Sequence, residues 1–118
     1  MSSPDLIALT QRLREFADAR DWNQFHSPKN LTMALSVEIA EIVEHFQWLT
    51  EEQSNQLPDK TLDRVEAELA DSFLYLLRLA DKLDIDLISA AHRKIEVNEK
   101  KYPVAKAKGN ATKYTDLD

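Results

Sequence analysis

Apolar residues recur along this chain at three- and four-residue intervals, with no sustained alternation at every second position, so the pattern predicts helices and no sheet. In "SSPDLIALTQRLREFADARD", Leu6, Leu9, Leu13 and Phe16 share one helical face, Ser3 stands as the cap and Pro4 takes the first helical position. A loop, "WNQFHSPK", leads to a second helix running from near Asn30 to Leu49. Polar "TEEQSNQLPDK" separates it from a third, near Thr61 to Leu83. Asp86 caps a fourth, which Pro103 stops near Tyr102. The pattern predicts one all-α domain over residues 1–103, a four-helix bundle, followed by a basic C-terminal tail, 104–118, that has little to bury and is either mobile or docked.

The second helix carries an anomaly. "ALSVEIAEIVEHFQW" spaces Glu38, Glu41 and Glu44 three residues apart within an otherwise amphipathic segment. Successive helix residues advance by about 100°. With Glu38 at zero, Leu31, Leu35, Ile39, Ile42, Phe46 and Leu49 fall at roughly 20° to 100°, which predicts the core stripe. Glu41 near −60°, His45 near −20° and Trp48 near −80° lie beside that stripe, whereas Glu44 near −120° points toward water.

The third helix repeats the arrangement 30 residues later: "VEIAEIVEHF" lies over "AELADSFLYL", so that Glu68 matches Glu38, Asp71 matches Glu41 and Tyr75 takes the place of His45. Val65, Leu69, Leu76 and Leu83 form the expected stripe alongside. If the two stripes pack together, four carboxyl groups converge at one margin of the bundle. Uncompensated, they would repel, so solvent separates them or cations hold them. Hard oxygen ligands of this kind suit Mg²⁺, with Mn²⁺ as the second choice. One E-x-x-E pair alone is more often a solvated face; two pairs beside matching stripes weigh against that reading. A di-iron bundle would use Glu-x-x-His pairs, but Ile42 and Ser89 stand three residues before His45 and His92.

Composition sharpens this picture. The chain has 118 residues, 43% of them apolar, which is one domain's worth of core. Cysteine is absent, so a thiolate metal site, a disulfide frame and a cysteine nucleophile are excluded, and any metal must sit on oxygen or imidazole. No apolar run reaches membrane-spanning length and charge interrupts the N-terminal segment, so the expectation is a cytoplasmic protein without membrane contact. Net charge is −6, with 17 acids and eight bases in residues 1–92 but seven bases against Glu96 and Glu99 between Arg93 and Lys113. An acidic body argues against polymeric nucleic acid, while the basic end suits a small polyphosphate.

Taken together, "RDWNQFHSPKNL", "EIAEIVEHFQW", "ELADSFLYLLRLA" and the tail "TKYTDL" resemble the all-α nucleoside triphosphate pyrophosphohydrolases of the MazG superfamily, in their dCTP pyrophosphatase branch. The family's E-x-x-E, spacer, E-x-x-D motif is met by Glu38, Glu41, Glu68 and Asp71, with 26 residues between Glu41 and Glu68. The resemblance implies hydrolysis of a nucleoside triphosphate, dCTP or a C5-modified dCTP, to the monophosphate and pyrophosphate, with Mg²⁺ on those four acids. The chemistry agrees, since a triphosphate at an acidic site needs metal ions to offset charge. Glu41 is the candidate to orient or deprotonate the attacking water.

The resemblance also implies that Trp22, Trp48 and Tyr75 line a nucleoside pocket, where flat faces stack on a base for about 1–3 kcal/mol each. His26, in the loop beside Phe25, is a further candidate for substrate contact, and His45 for a partner of one carboxylate. Animal members carry a histidine on the first helix where this chain has Leu13. Lys94 and Asn98, four apart on the fourth helix, and Tyr102 a turn beyond, are implied to meet the phosphates, with Lys113 and Tyr114 in the tail as weaker candidates. The expected assembly is a homo-oligomer, a tetramer built as a dimer of dimers. Phe73, Leu74, Leu76, Leu77, Leu79 and Ala80 surround most of the third helix, more than one bundle face can use. The alternative reading is a non-catalytic helical module that senses nucleotides or binds a partner.

Overall fold

The computed structural model describes residues Pro4–Leu117, all of them in helices, turns and short connections with no strand among the described residues. The helices are α1 (Pro4–Ala19), α2 (Pro28–Phe46), α3 (Glu51–Ser54), α4 (Asp59–Lys82), α5 (Leu87–Lys101) and α6 (Val104–Ala107), followed by a 3₁₀ turn at Tyr114–Asp116. The all-α expectation holds. Ser3, expected to cap α1, lies outside the described residues. The chain divides into two compact units, Pro4–Ile85 and Asp86 onward.

Helix boundaries follow local chemistry more closely than apolar periodicity. α2 begins two residues before the expected start, because the Ser27 side chain accepts from the Asn30 N–H at 3.1 Å and Pro28 supplies the first position. It stops at Phe46, and the polar connection expected as loop contains α3, closed by a reciprocal capping box in which Thr50 and Gln53 satisfy each other's backbone N–H groups. α1 and α4 end alike without glycine. Asp21 (φ 54°) and Asp84 (φ 55°) take the left-handed conformation. Behind them Trp22 N–H reaches Ala17 C=O at 3.0 Å and Ile85 N–H reaches Ala80 C=O at 2.9 Å, which is a Schellman closure in each case.

In the Pro4–Ile85 unit α4 is the central element. Its most extensive contact is with α2, and its second is with α1. Leu31 on α2, only 1% exposed, Ala17 on α1, and Val65, Ser72, Leu77 and Ala80 on α4 are buried. Burying Leu31 alone is worth about 1.5–3 kcal/mol.

The structure corrects the expected core stripes. On α2, Leu31, Leu35, Ile42 and Phe46 are buried or half-buried, but Ile39 and Leu49 are exposed. Ala34, Glu38, Glu41 and His45 are the half-buried residues instead, so the covered face centres on Glu38, turned by roughly 50° from the expected stripe. On α4 only Val65 of the four expected stripe residues is buried; Leu69, Leu76 and Leu83 are exposed, while Thr61, Glu68, Ser72 and Tyr75 are covered. The physical reason lies in pairing. α2 and α4 meet along the line that carries the acids, leaving the flank of each apolar stripe outside.

The second unit holds α5, α6 and the 3₁₀ turn. The Asp86 side chain accepts from Ser89 N–H at 3.1 Å to start α5, as expected. The tail is docked on the end of α5. The Tyr102 and Tyr114 rings meet edge-on at 6.0 Å and Lys101 Nζ lies 4.6 Å from the centre of the Tyr114 ring.

Candidate active site

Where α2 faces α4, the carboxyl groups of Glu41, Asp71 and Glu68 act on that of Glu38. Glu38, half-buried on α2, has its pKa raised from the ordinary 4.5, first by burial and then by the negative charges of Glu41 and Asp71, a hydrogen bond with Glu41, and the charge of Glu68. Every acid of the E-x-x-E and E-x-x-D pairs is thus felt at Glu38, whereas Glu44 is exposed and contributes nothing there. His45, expected to partner a carboxylate, has its Nε2 2.7 Å from Glu68 Oε2. Beyond that ion-pair contact the buried Glu68 Oε2 accepts no hydrogen bond, and Ser72 Oγ one turn further along α4 also makes none.

Among the described residues no three acidic or histidine side chains close into a ready metal-binding group. The donor set nevertheless fits a hard divalent cation: it is all oxygen, its acids raise the pKa of Glu38, and it includes a buried oxygen with no hydrogen bond.

Asp71 also belongs to a second feature. It lines a pocket of about 240 Å³ with Leu13, Phe16, Ala17, Trp22, His26, Leu74 and Tyr75. Of the residues expected at a nucleoside pocket, Trp22, His26 and Tyr75 are brought together, and the pocket adjoins the acid cluster through Asp71. The Schellman turn after α1 folds Trp22 back so that its ring meets Phe16 edge-on at 5.5 Å, with His26 at 6.1 Å on another side. Trp48 is not drawn in. Just beyond the end of α2, it is 86% exposed and absent from the pocket wall. Lys94, Asn98 and Tyr102 lie on the second unit, all exposed, with Tyr102 N–H closing α5 on Asn98 C=O at 2.8 Å.

Sequence reasoning missed Arg78. It is 4% exposed, and its guanidinium organises the loop that carries His26: Nε donates to His26 Nδ1 at 3.2 Å and Nη2 donates to Asn23 Oδ1. Asp81 offsets the charge, with Oδ2 3.5 Å from Arg78 Nη1, and is itself gripped by both arms of Arg14. The Arg14 hydrogen bond holds the Asp81 carboxyl below its usual range. Burial, followed by the charges of Arg78 and Lys82, lowers the His26 pKa. The available signal was an arginine set within the apolar run "FLYLLRLA", where a charge needs partners that the run does not supply.

A helical scaffold that brings an E-x-x-E pair and an E-x-x-D pair face to face beside an aromatic pocket defines the class: the chain belongs to the MazG-like family, which it matches over residues 33–117. Its similarity to individual proteins extends further. The dCTP pyrophosphatase 1 of Mus musculus is 41% identical over 97% of this chain and 68% of its own length, and that of Homo sapiens is 37% identical over the same shares. A solved pyrophosphatase from Archaeoglobus fulgidus DSM 4304 superposes with a TM-score of 0.75 at 41% identity, covering 87% of this chain and 96% of that one.

Proposed function

We propose that this chain is a nucleoside triphosphate pyrophosphohydrolase that cleaves dCTP, or dCTP modified at C5, to the monophosphate and pyrophosphate. The observation that carries the reading is Asp71, which is common to the group of acids whose charge is felt at Glu38 and to an aromatic pocket, so that a triphosphate and its base have adjoining places. Nearly full-length similarity to dCTP pyrophosphatases supports the substrate.

MazG-like enzymes are generally metal-dependent, and Glu38, Glu41, Glu68 and Asp71 would hold the ion here, Mg²⁺ before Mn²⁺. When bound, the metal offsets the charge between carboxylates and triphosphate and polarises the phosphoryl group. Glu41 takes the proton of the attacking water through its carboxylate. Trp22 and Tyr75 hold the base by its faces, and the apolar wall of Leu13, Phe16 and Leu74 excludes water from it. Trp48, and Lys94, Asn98 and Tyr102 at the phosphates, are assigned on sequence resemblance alone.

The proposal extends to a four-helix bundle working in the cytoplasm as a homotetramer, a dimer of dimers. Supporting it are exposed apolar residues along α4, Leu62, Leu69, Phe73 and Leu76, more than a lone chain covers. Light scattering tests the assembly, and a monomer at assay concentration overturns it. The activity is tested by pyrophosphate release from a panel of nucleoside triphosphates with Mg²⁺. Preference for dCTP or 5-methyl-dCTP is expected. Release from none of them refutes the activity, and a preference for dUTP or a purine refutes the substrate.

A further inference from the structure

Arg78 lines no part of the aromatic pocket, yet it reaches the loop that does, 52 residues away at His26 and 55 at Asn23. Asn23 is held from both ends, its Oδ1 accepting from Arg78 and its Nδ2 donating to Asp18. The Arg78 Nε contact has one chemical reading. A guanidinium only donates and keeps its protons at any working pH, so His26 Nδ1 must present a lone pair. In a neutral imidazole the remaining proton then sits on Nε2. Nδ1 is turned to Arg78, which lies outside the pocket, and His26 is one of the residues that line it.

We propose that Arg78 is a positioning residue: from its buried site it fixes His26 as the Nε2–H tautomer, making the imidazole a fixed hydrogen-bond donor for an acceptor atom on the nucleobase bound in the pocket. Resting on the pyrophosphohydrolase reading, this assigns to the pocket a base-reading group that stacking residues cannot provide, since stacking tolerates every base. In cytosine the ring N3 is an acceptor, and in uracil it is a donor, so a fixed donor discriminates between them when it meets that edge. A histidine free to exchange tautomers would present either character and read neither. The second arm on Asn23 and the Asp81–Arg14 pair behind the guanidinium hold the loop and the charge in register.

The experiment begins with ¹⁵N-histidine NMR on the free, full-length protein, with the His26 signals identified by their loss in His26→Gln. Nε2 protonated and Nδ1 unprotonated is expected; the opposite tautomer, or an exchanging mixture, overturns the proposal whether or not the protein has activity. Next, Arg78→Lys should release the tautomer and raise KM for dCTP about tenfold, the loss of one hydrogen bond, with kcat changed less than about twofold. In the His26→Gln background, where an amide nitrogen replaces the Nε2 donor and no tautomer exists, the same Arg78→Lys change should leave KM unaltered. An equal rise in both backgrounds means that Arg78 acts independently of His26 and overturns it. If Arg78→Lys does not fold, His26→Gln and His26→Asn decide: Gln should retain most of the affinity and Asn, too short to reach the Nε2 position, should lose it. Equal affinities refute the donor role. If no triphosphate is hydrolysed, calorimetric dCTP affinity replaces KM, so failure of the catalytic reading is separated from failure of this one.

Discussion

Replacing Glu41 by glutamine tests the acid cluster, because it removes one charge while keeping the size of the side chain. Glu41 is the charge that acts most strongly on Glu38 and also shares a hydrogen bond with it. Glu38 has a folded-state pKa above its ordinary 4.5, so its favourable contribution is complete below that value and is lost as pH rises through the folded pKa. At neutral pH the ionised cluster therefore costs stability. Removing one like-charged neighbour three residues away recovers about 0.2–0.5 kcal/mol, with a smaller screened gain from Asp71 and Glu68 across the helix pair. For a domain of this length 0.5 kcal/mol is about 2 °C in melting temperature. In EDTA the variant should melt at the parent temperature or slightly above. With Mg²⁺ the parent should gain stability by binding the ion only when folded, and the variant should lose most of that gain. Turnover of dCTP should fall by about 100-fold or more, the scale for losing a group that stabilises developing charge. Melting and pyrophosphate release are measured on the same preparation. Turnover within about tenfold of the parent, or a melting temperature several degrees lower in EDTA, would refute the reasoning.

The other predictions concern the frame of the site. Asp81→Ala leaves the buried Arg78 guanidinium uncompensated and should cost about 3 kcal/mol by urea unfolding; a loss under about 1 kcal/mol would mean that Arg14 and Arg78 do not depend on it. Because the His26 pKa is lowered from 6.5, the unfolded chain takes up a proton first as pH falls through that value, so stability should decline from there toward the folded pKa. Urea midpoints compared at pH 7.5 and 5.5 should show a smaller decline in His26→Gln, and identical declines would contradict the assigned environment. Asp84→Gly, at a left-handed φ of 55°, should raise stability by up to about 1 kcal/mol, and a drop would show that the aspartate side chain outweighs its backbone strain. Trp48→Ala should leave stability within about 0.5 kcal/mol, given 86% exposure, yet raise KM for dCTP at least about fivefold if the ring stacks on substrate in the assembled enzyme; an unchanged KM removes Trp48 from the site.

The four longer helices and the four acids were legible in the sequence because they depend on local signals, a 3.6-residue period, caps three residues apart, and prolines, whereas the short α3 and α6 were read as loop and tail. Ser27 and the Thr50–Gln53 capping box were equally local, and they set the boundaries that periodicity alone had misplaced by a few residues. The rotation of each helix about its own axis was not local. Ile39 and Leu69 read as core, and Glu38 and Glu68 as its edge, because hydrophobicity ranks residues without knowing which helix they will meet. Once α2 and α4 pair along the acid line, Glu38, Glu41 and Glu68 become half-covered and Ile39 and Leu69 are left outside. Arg78 marks the limit more sharply. Charge in an apolar run is unfavourable by itself, and only the fold supplies Asn23 and His26 from more than 50 residues away, and Arg14 from α1 behind Asp81, so that a buried cation can hold the loop. The sequence by itself determined which chemistry is present. Tertiary structure decided which groups share a surface, because burial and charge pairing are properties of contacts between distant segments.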